Sequence, residues 1–154
     1  MGRSSEYNHY MQRIDITGQQ VIDIEEEFVG LLYEQAEGIN TVGEAKNVYT
    51  EEYADSDRLR YYLPPDGNYA NKGTEITMTF LVVGTPEARQ NIIDRFYEYL
   101  RKGVHRYWDT ARNREFDFIV TKELKTSDER WYGSQPYVEI TATLQNLNGS
   151  TREH

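Results

Sequence analysis

The sequence predicts an α+β fold class: one antiparallel, β-rich domain over residues 1–154 with a single main helix at about 86–102. Three observations carry this prediction. From Glu75 to Val83, Ile76, Met78, Phe80 and Val82 alternate with Thr77 and Thr79, the period-two pattern of a half-buried strand. From Tyr137 to Leu144 the pattern returns, with Val138, Ile140, Ala142 and Leu144 against Glu139, Thr141 and Thr143. Between them Thr85 and Pro86 open a segment in which Ile92, Phe96 and Leu100 recur every four residues, the apolar stripe of a helix packed on one face. A chain of 154 residues has room for one ordinary domain.

The elements follow in order. Residues 1–12 are polar with scattered aromatics and no sustained period, and are expected to form a flexible amino-terminal arm. After Arg13, the residues Ile14, Ile16, Val21, Ile22 and Ile24 alternate loosely around Gly18, which predicts a strand, a turn and a second strand. Asp23 to Gln35 reads two ways. Ile24, Phe28, Leu31 and Leu32 have helical spacing, but Gly30 and Gly38 interrupt a long helix and Val29 to Tyr33 suits a strand. Thr50 to Asp57 is acidic and reads as a loop, as does Leu63 to Gly73 with its Pro64-Pro65-Asp66-Gly67 turn; Leu59 to Leu63 between them suits a short edge strand.

The helix is announced by Thr85 as N-cap, Pro86 in the first position and Glu87 near the positive end of the macrodipole, and it closes with Arg101 and Lys102 before Gly103. Ile93 and Tyr99 widen its apolar row, leaving Arg89, Asp94, Arg95 and Glu98 to face elsewhere. Val104 to Trp108, a turn at Ala111-Arg112-Asn113 and Glu115 to Lys122, with Phe116, Phe118 and Val120 on one side, predict a hairpin. Residues from about 146 to 154 read as a polar tail.

Composition narrows the chemistry. The absence of cysteine excludes disulfides, thiolate nucleophiles and cysteine-type zinc sites. The net charge of −9 argues against a general phosphate-binding surface. No apolar run approaches the roughly 20 residues of a membrane span, and the first residues lack the apolar stretch of a signal peptide, so a soluble protein kept in the cytoplasm until assembly is expected. With only three histidines, a triad or multi-histidine metal site would have to be built on His105, because His9 and His154 fall in segments expected to be loose. His105 with Asp109 has the make-up of a base and its orienter; a strand residue facing solvent or an interface is the expectation. Asp55 and Asp57 lack the glycine and terminal glutamate of a calcium loop, and Glu25-Glu26-Glu27 are adjacent residues that cannot converge on one substrate. No catalytic, cofactor-binding or metal-ligating residue is therefore expected, and no enzymatic activity. Thirteen tyrosines against five phenylalanines suit half-wet positions such as subunit interfaces.

The order of parts, with Ile14-Asp15-Ile16-Thr17-Gly18 opening the fold, the Glu75 to Gly84 strand, the Thr85 to Lys102 helix, Gly103 to Asp109, and Tyr137 to Leu144 at the end, resembles the distal tail protein family of bacteriophages and prophages, in its amino-terminal domain, and the tail-tube-like relatives. The resemblance covers about residues 13–147. It implies an antiparallel β-sandwich or half-barrel flanked by the helix, repeated around a ring, sixfold in this family, that joins tail tube to baseplate or stacks into the tube. The implied partners are copies of the chain and other tail proteins, with DNA only as passing cargo and no membrane insertion. The implied place is the virion tail, assembled in the bacterial cytoplasm. In such a ring the arm and the two loops reach adjacent subunits, with Tyr49, Tyr53, Tyr61, Tyr62 and Tyr69 as contact anchors. Glu51, Glu52, Asp55 and Asp57 form an acidic cluster that would repel DNA from the lumen. A tail terminator or injection-system tube subunit makes the same physical demands. From another class, Trp108, Trp131, Tyr132 and Tyr137 would form the aromatic platform of a glycan-binding module, and paired carboxylates those of a small hydrolase.

Overall fold

The computed structural model describes residues 7–40, 49–52, 59–62, 73–148 and 150–154, and the segments 49–52 and 59–62 enter through their backbone pairing alone. In chain order the elements are β1 (His9–Arg13), β2 (Ile22–Asp23), α1 (Ile24–Glu27), β3 (Leu31–Glu37), β4 (Tyr49–Glu52), β5 (Leu59–Tyr62) and β6 (Thr74–Val83). They continue with α2 (Pro86–Leu100), β7 (His105–Asp109), β8 (Arg114–Ile119), β9 (Lys125–Thr126), β10 (Arg130–Tyr132), β11 (Gln135–Asn146) and β12 (Arg152–Glu153). The main sheet is antiparallel throughout, in the order β2-β1-β7-β8-β11-β6-β3. The two strands that the alternation predicts most clearly form its spine, β6 pairing with β11 from Thr74↔Asn146 to Val83↔Tyr137. The other edge of β11 is shared in sequence by β10, β9 and the end of β8.

This sheet curls into a half-barrel. His9 in β1 stacks on Tyr33 in β3 with ring centroids 3.9 Å apart, although β7, β8, β11 and β6 lie between their strands in the sheet. The short α1 bridges the seam, its Glu25 carboxylate accepting the Tyr33 backbone N–H at 2.9 Å. Across the inner face lies α2. Its Thr85 hydroxyl accepts the Ala88 N–H as expected of an N-cap, and Phe96 meets Phe80 of β6 and Phe28 after α1 in edge-to-face contacts at 5.0 and 5.3 Å. Further along, Tyr99 reaches His105 of β7 at 4.6 Å. The core is thus one apolar cluster drawn from β1, α1, α2, β3, β6, β7, β8 and β11.

Several expectations are corrected. The arm expected over 1–12 contains a core strand from His9, because the inward residues are His9 and Met11 and a histidine hides the alternation. The first strand accordingly lies before Ile14, and Ile16 and Val21 are exposed in the following turn. Asp23 to Gln35 resolves into both readings in succession, a one-turn helix and then β3, separated at Gly30. Thr50–Glu52 belongs to β4 and not to a loop. Arg89, expected off the packed face of α2, is buried and ion-pairs Glu129. The polar tail ends in β12, which extends the free edge of β8 through Arg152↔Glu115 and Glu153↔Arg114. The turn after β3 depends on Gly38, at φ +92, where a Cβ would lie 2.7 Å from the Glu75 carbonyl oxygen.

Candidate functional site

Two hairpins and one buried polar cluster stand out from the sheet. The first hairpin, β4–β5, is a two-stranded sheet of its own, hydrogen-bonded to no strand of the main sheet among the described residues. Its register sets Tyr49 opposite Tyr62, Thr50 opposite Tyr61, Glu51 opposite Arg60 and Glu52 opposite Leu59. The fold therefore brings three of the five candidate tyrosines, Tyr49, Tyr61 and Tyr62, onto one ribbon together with Glu51 and Glu52. Tyr53, Tyr69, Asp55 and Asp57 lie outside the described residues. A lone two-stranded ribbon is marginally stable in water and gains order by packing on something else.

The second hairpin, β10–β11, turns at Gly133-Ser134, with Gly133 at φ +61. Its last registered pair with β6 is Tyr137↔Val83, so the ribbon beyond Tyr137 overhangs the sheet. Trp131 and Tyr132 at its tip are 62% and 83% exposed. They are consecutive strand residues and so point to opposite faces. Trp108 lies on β7, stacked between Tyr10 at 5.7 Å and His154 at 4.6 Å. Trp108, Trp131, Tyr132 and Tyr137 are consequently not gathered into a single platform. The signal for the second hairpin was present in the sequence, where Trp131-Tyr132 and Gln135-Pro136-Tyr137 flank a two-residue Gly-Ser turn.

Where the ends of the sheet meet, five polar side chains converge. Tyr107 donates its hydroxyl hydrogen to Asp109 Oδ2 at 3.0 Å, and His9 Nδ1 lies 3.0 Å from the same hydroxyl. Arg112 closes the group: its Nη1 donates to Asp109 Oδ2 at 2.9 Å and to the Tyr33 hydroxyl at 3.4 Å, and its backbone N–H donates to Asp109 Oδ1 at 2.7 Å. Burial, reinforced by the neighbouring Asp109 charge, raises the Tyr107 hydroxyl pKa well above its ordinary value, so the phenol remains a donor. Burial also lowers the pKa of His9 in spite of Asp109, Glu25 and Asp23 nearby. His9, Tyr33 and Tyr107 do not stand out in the sequence, because polar side chains on the core face of a strand read as solvent-facing.

His105, expected to face solvent or an interface, is fully buried between Tyr99 and Phe118. Asp109 is engaged with Tyr107 and Arg112, so no base-and-orienter pair forms with His105. Glu25 is buried and tied to β3, whereas Glu26 and Glu27 are exposed. Among the described residues, no group of three or more histidine, aspartate or glutamate side chains is placed to hold a metal ion.

The described residues thus form a curled antiparallel sheet with one helix across its inner face and two ribbons that extend past it. In solved structures a similar fold occurs in phage baseplate and hub proteins. The chain is similar to a chain of the phage p2 baseplate in its activated conformation with strontium, with a TM-score of 0.59 and 11% identity over 94% of this chain and 45% of that one. The calcium form of the same baseplate matches with a TM-score of 0.55 and 10% identity over the same shares. The SPP1 Dit protein, described as a paradigm of the hub adsorption apparatus of phages infecting Gram-positive bacteria, matches with a TM-score of 0.52 and 11% identity over 88% of this chain and 49% of that one. The chain thus has the fold of a phage baseplate or hub component and spans about half the length of those chains. No protein-family model matches the sequence, and no curated protein matches it.

Proposed function

We propose that the chain is a structural subunit of a phage-type tail, a distal tail, baseplate-hub or tube-like ring component, that assembles with copies of itself and with other tail proteins and performs no reaction. The observation that carries this reading is the fold likeness to the p2 baseplate chain across 94% of the residues, at an identity of only 11%. Sequences that have diverged so far while keeping the half-barrel and its helix point to selection on shape. The β4–β5 ribbon supports assembly, since among the described residues it pairs with no strand of the main sheet, and it holds Tyr49, Tyr61 and Tyr62, with Tyr53 and Tyr69 in the flanking sequence. In the ring these tyrosines anchor the neighbouring subunit, and Glu51, Glu52, Asp55 and Asp57 face the lumen and keep passing DNA from adhering. The working place is the virion tail.

Light scattering of the purified chain over a range of concentration, followed by negative-stain imaging of any large species, tests the reading. Rings or short tubes that dissociate on changing Tyr49 and Tyr62 to alanine are the expected result. A strict monomer at every concentration, with or without other tail proteins, overturns it. Labelling of Glu51→Cys or Asp55→Cys only from outside an assembled ring overturns the lumen assignment while leaving the ring standing.

A further inference from the structure

The buried histidines His9 and His105 stand at opposite ends of one strand ladder. β1 pairs with β7 from His9↔Asp109 to Arg13↔His105. Both imidazoles face the core, 2% and 0% exposed. His9 Nε2 has no hydrogen-bond partner among the described residues, nor does either ring nitrogen of His105. Protonating such a ring adds a charge in a place where water cannot compensate it.

The surroundings decide which way each ring is biased. His9 is faced by Tyr107 and Asp109 from β7, Arg112 from the turn after it, Asp23 from β2, Glu25 from α1 and Tyr33 from β3. The three carboxylates favour a proton; burial, the largest influence, and Arg112 oppose it, and the opposition wins. His105 is faced by Arg13 from β1, Asp15 just beyond it and Tyr99 from α2, with Phe118 of β8 across the ring. The Lys102 and Tyr99 carbonyls lie near enough to favour the charged form without making a hydrogen bond, and burial again prevails. Among the described residues the sheet holds only the two-residue β2 beyond β1, joined through Tyr10↔Asp23 and Met11↔Ile22. The β1–β2 pair is therefore the terminal unit of the sheet among the described residues, its backbone held by the ladder to β7 with a neutral histidine at each end, and His9 also stacked on Tyr33 across the seam.

We propose that β1, with β2 beyond it, is an acid-released strand: both histidines are neutral while it is docked and take up protons once it detaches, so falling pH frees this end of the sheet while the β6–β11 spine stays paired. Release uncovers the edge of β7, a row of backbone donors and acceptors able to pair with a strand of another chain. This inference does not rest on the tail reading. The sign follows from linkage. A histidine whose docked pKa lies below its free value of 6.5 stabilises docking fully above that value, and the contribution is lost as pH falls below it. Between 6.5 and its docked pKa each such histidine raises the opening constant by up to about tenfold per pH unit, and two by up to about a hundredfold.

Hydrogen exchange of the whole chain from about pH 7.5 to about pH 5, corrected for intrinsic rates, measures this slope directly. The logarithm of protection at β1 amides is expected to fall by up to about two per pH unit below 6.5, and β6 and β11 amides, which open only with the whole domain, are expected to stay more protected than β1 at every pH. His9→Gln lowers the slope to about one, His105→Leu alone does the same should the first variant fail to fold, and the double variant abolishes it. Protection at β1 that does not change with pH overturns the proposal. Protection at β1 equal to that at β6 and β11 across the range also overturns it, because β1 would then open only with unfolding of the whole domain.

Discussion

Replacing Tyr107 with phenylalanine removes one oxygen from the interior and leaves the volume almost unchanged. That oxygen joins two partners, since the hydroxyl donates to Asp109 Oδ2 and lies beside His9 Nδ1, each at 3.0 Å, in a residue only 1% exposed. A hydrogen bond to a charged acceptor contributes about 1.5–3 kcal/mol, and a buried donor left without a partner costs about 1–3 kcal/mol. Arg112 still satisfies Asp109 from two nitrogens, which limits the damage on that side and leaves His9 as the orphan. The expected loss is about 3 kcal/mol, which for a domain of this size lowers Tm by about 6–12 °C. Urea unfolding followed by far-UV circular dichroism and tryptophan fluorescence reads it as a lower midpoint at unchanged m. Tyr97→Phe makes the same change at a surface hydroxyl bonded to Thr126 and should cost less than about 1 kcal/mol. If Tyr107→Phe also costs less than about 1 kcal/mol, the cluster does not hold the seam and the reasoning fails.

Three further outcomes are expected. Phe96→Ala empties the junction of α2 with Phe80 and Phe28 and should destabilise by about 4 kcal/mol in the same unfolding assay. Gly38→Ala forces a Cβ against the Glu75 carbonyl at positive φ and should cost at least about 2 kcal/mol, read as a lower Tm by calorimetry. Global stability should fall on the acid side in two stages. The first lies below the 6.5 of the free imidazole, as His9 and His105 resist protonation in the folded chain. The second comes from Asp117, where burial raises the pKa but the Arg106 and Arg152 hydrogen bonds prevail and lower it, so its contribution is present above 3.8 and lost as pH falls through the folded value. A midpoint that does not move between about pH 7 and about pH 3 would contradict both stages.

The elements legible in the chain were those whose inner face is apolar. β6, β11, α2 and the β7–β8 hairpin were readable because Ile76, Phe80, Ile140, Phe96 and Phe116 mark the buried side at the period of their element. β1 was missed, and β7 was read with the wrong residue outside, because their inner faces carry His9, His105, Tyr107 and Asp109. Arg89 was placed outside on the same ground, though its ion pair with Glu129 takes it inward. The seam cluster was illegible for a further reason: His9, Tyr33 and Tyr107 are distant in sequence and meet only because the sheet curls.

By itself, then, the sequence determined the class of fold, the spine strands, the helix with its N-cap, and the narrowing of chemistry that no cysteine and three histidines impose. Those properties are local, set by the period of apolar side chains and by backbone capping within a few residues. Tertiary structure alone decided that the sheet curls until its two ends touch through side chains, that two histidines are interior, and that the β4–β5 ribbon and the Trp131–Tyr132 tip stand apart from it. Strand order and curl arise from pairing between residues far apart in the chain, and a polar side chain becomes interior only when such pairing supplies its partners.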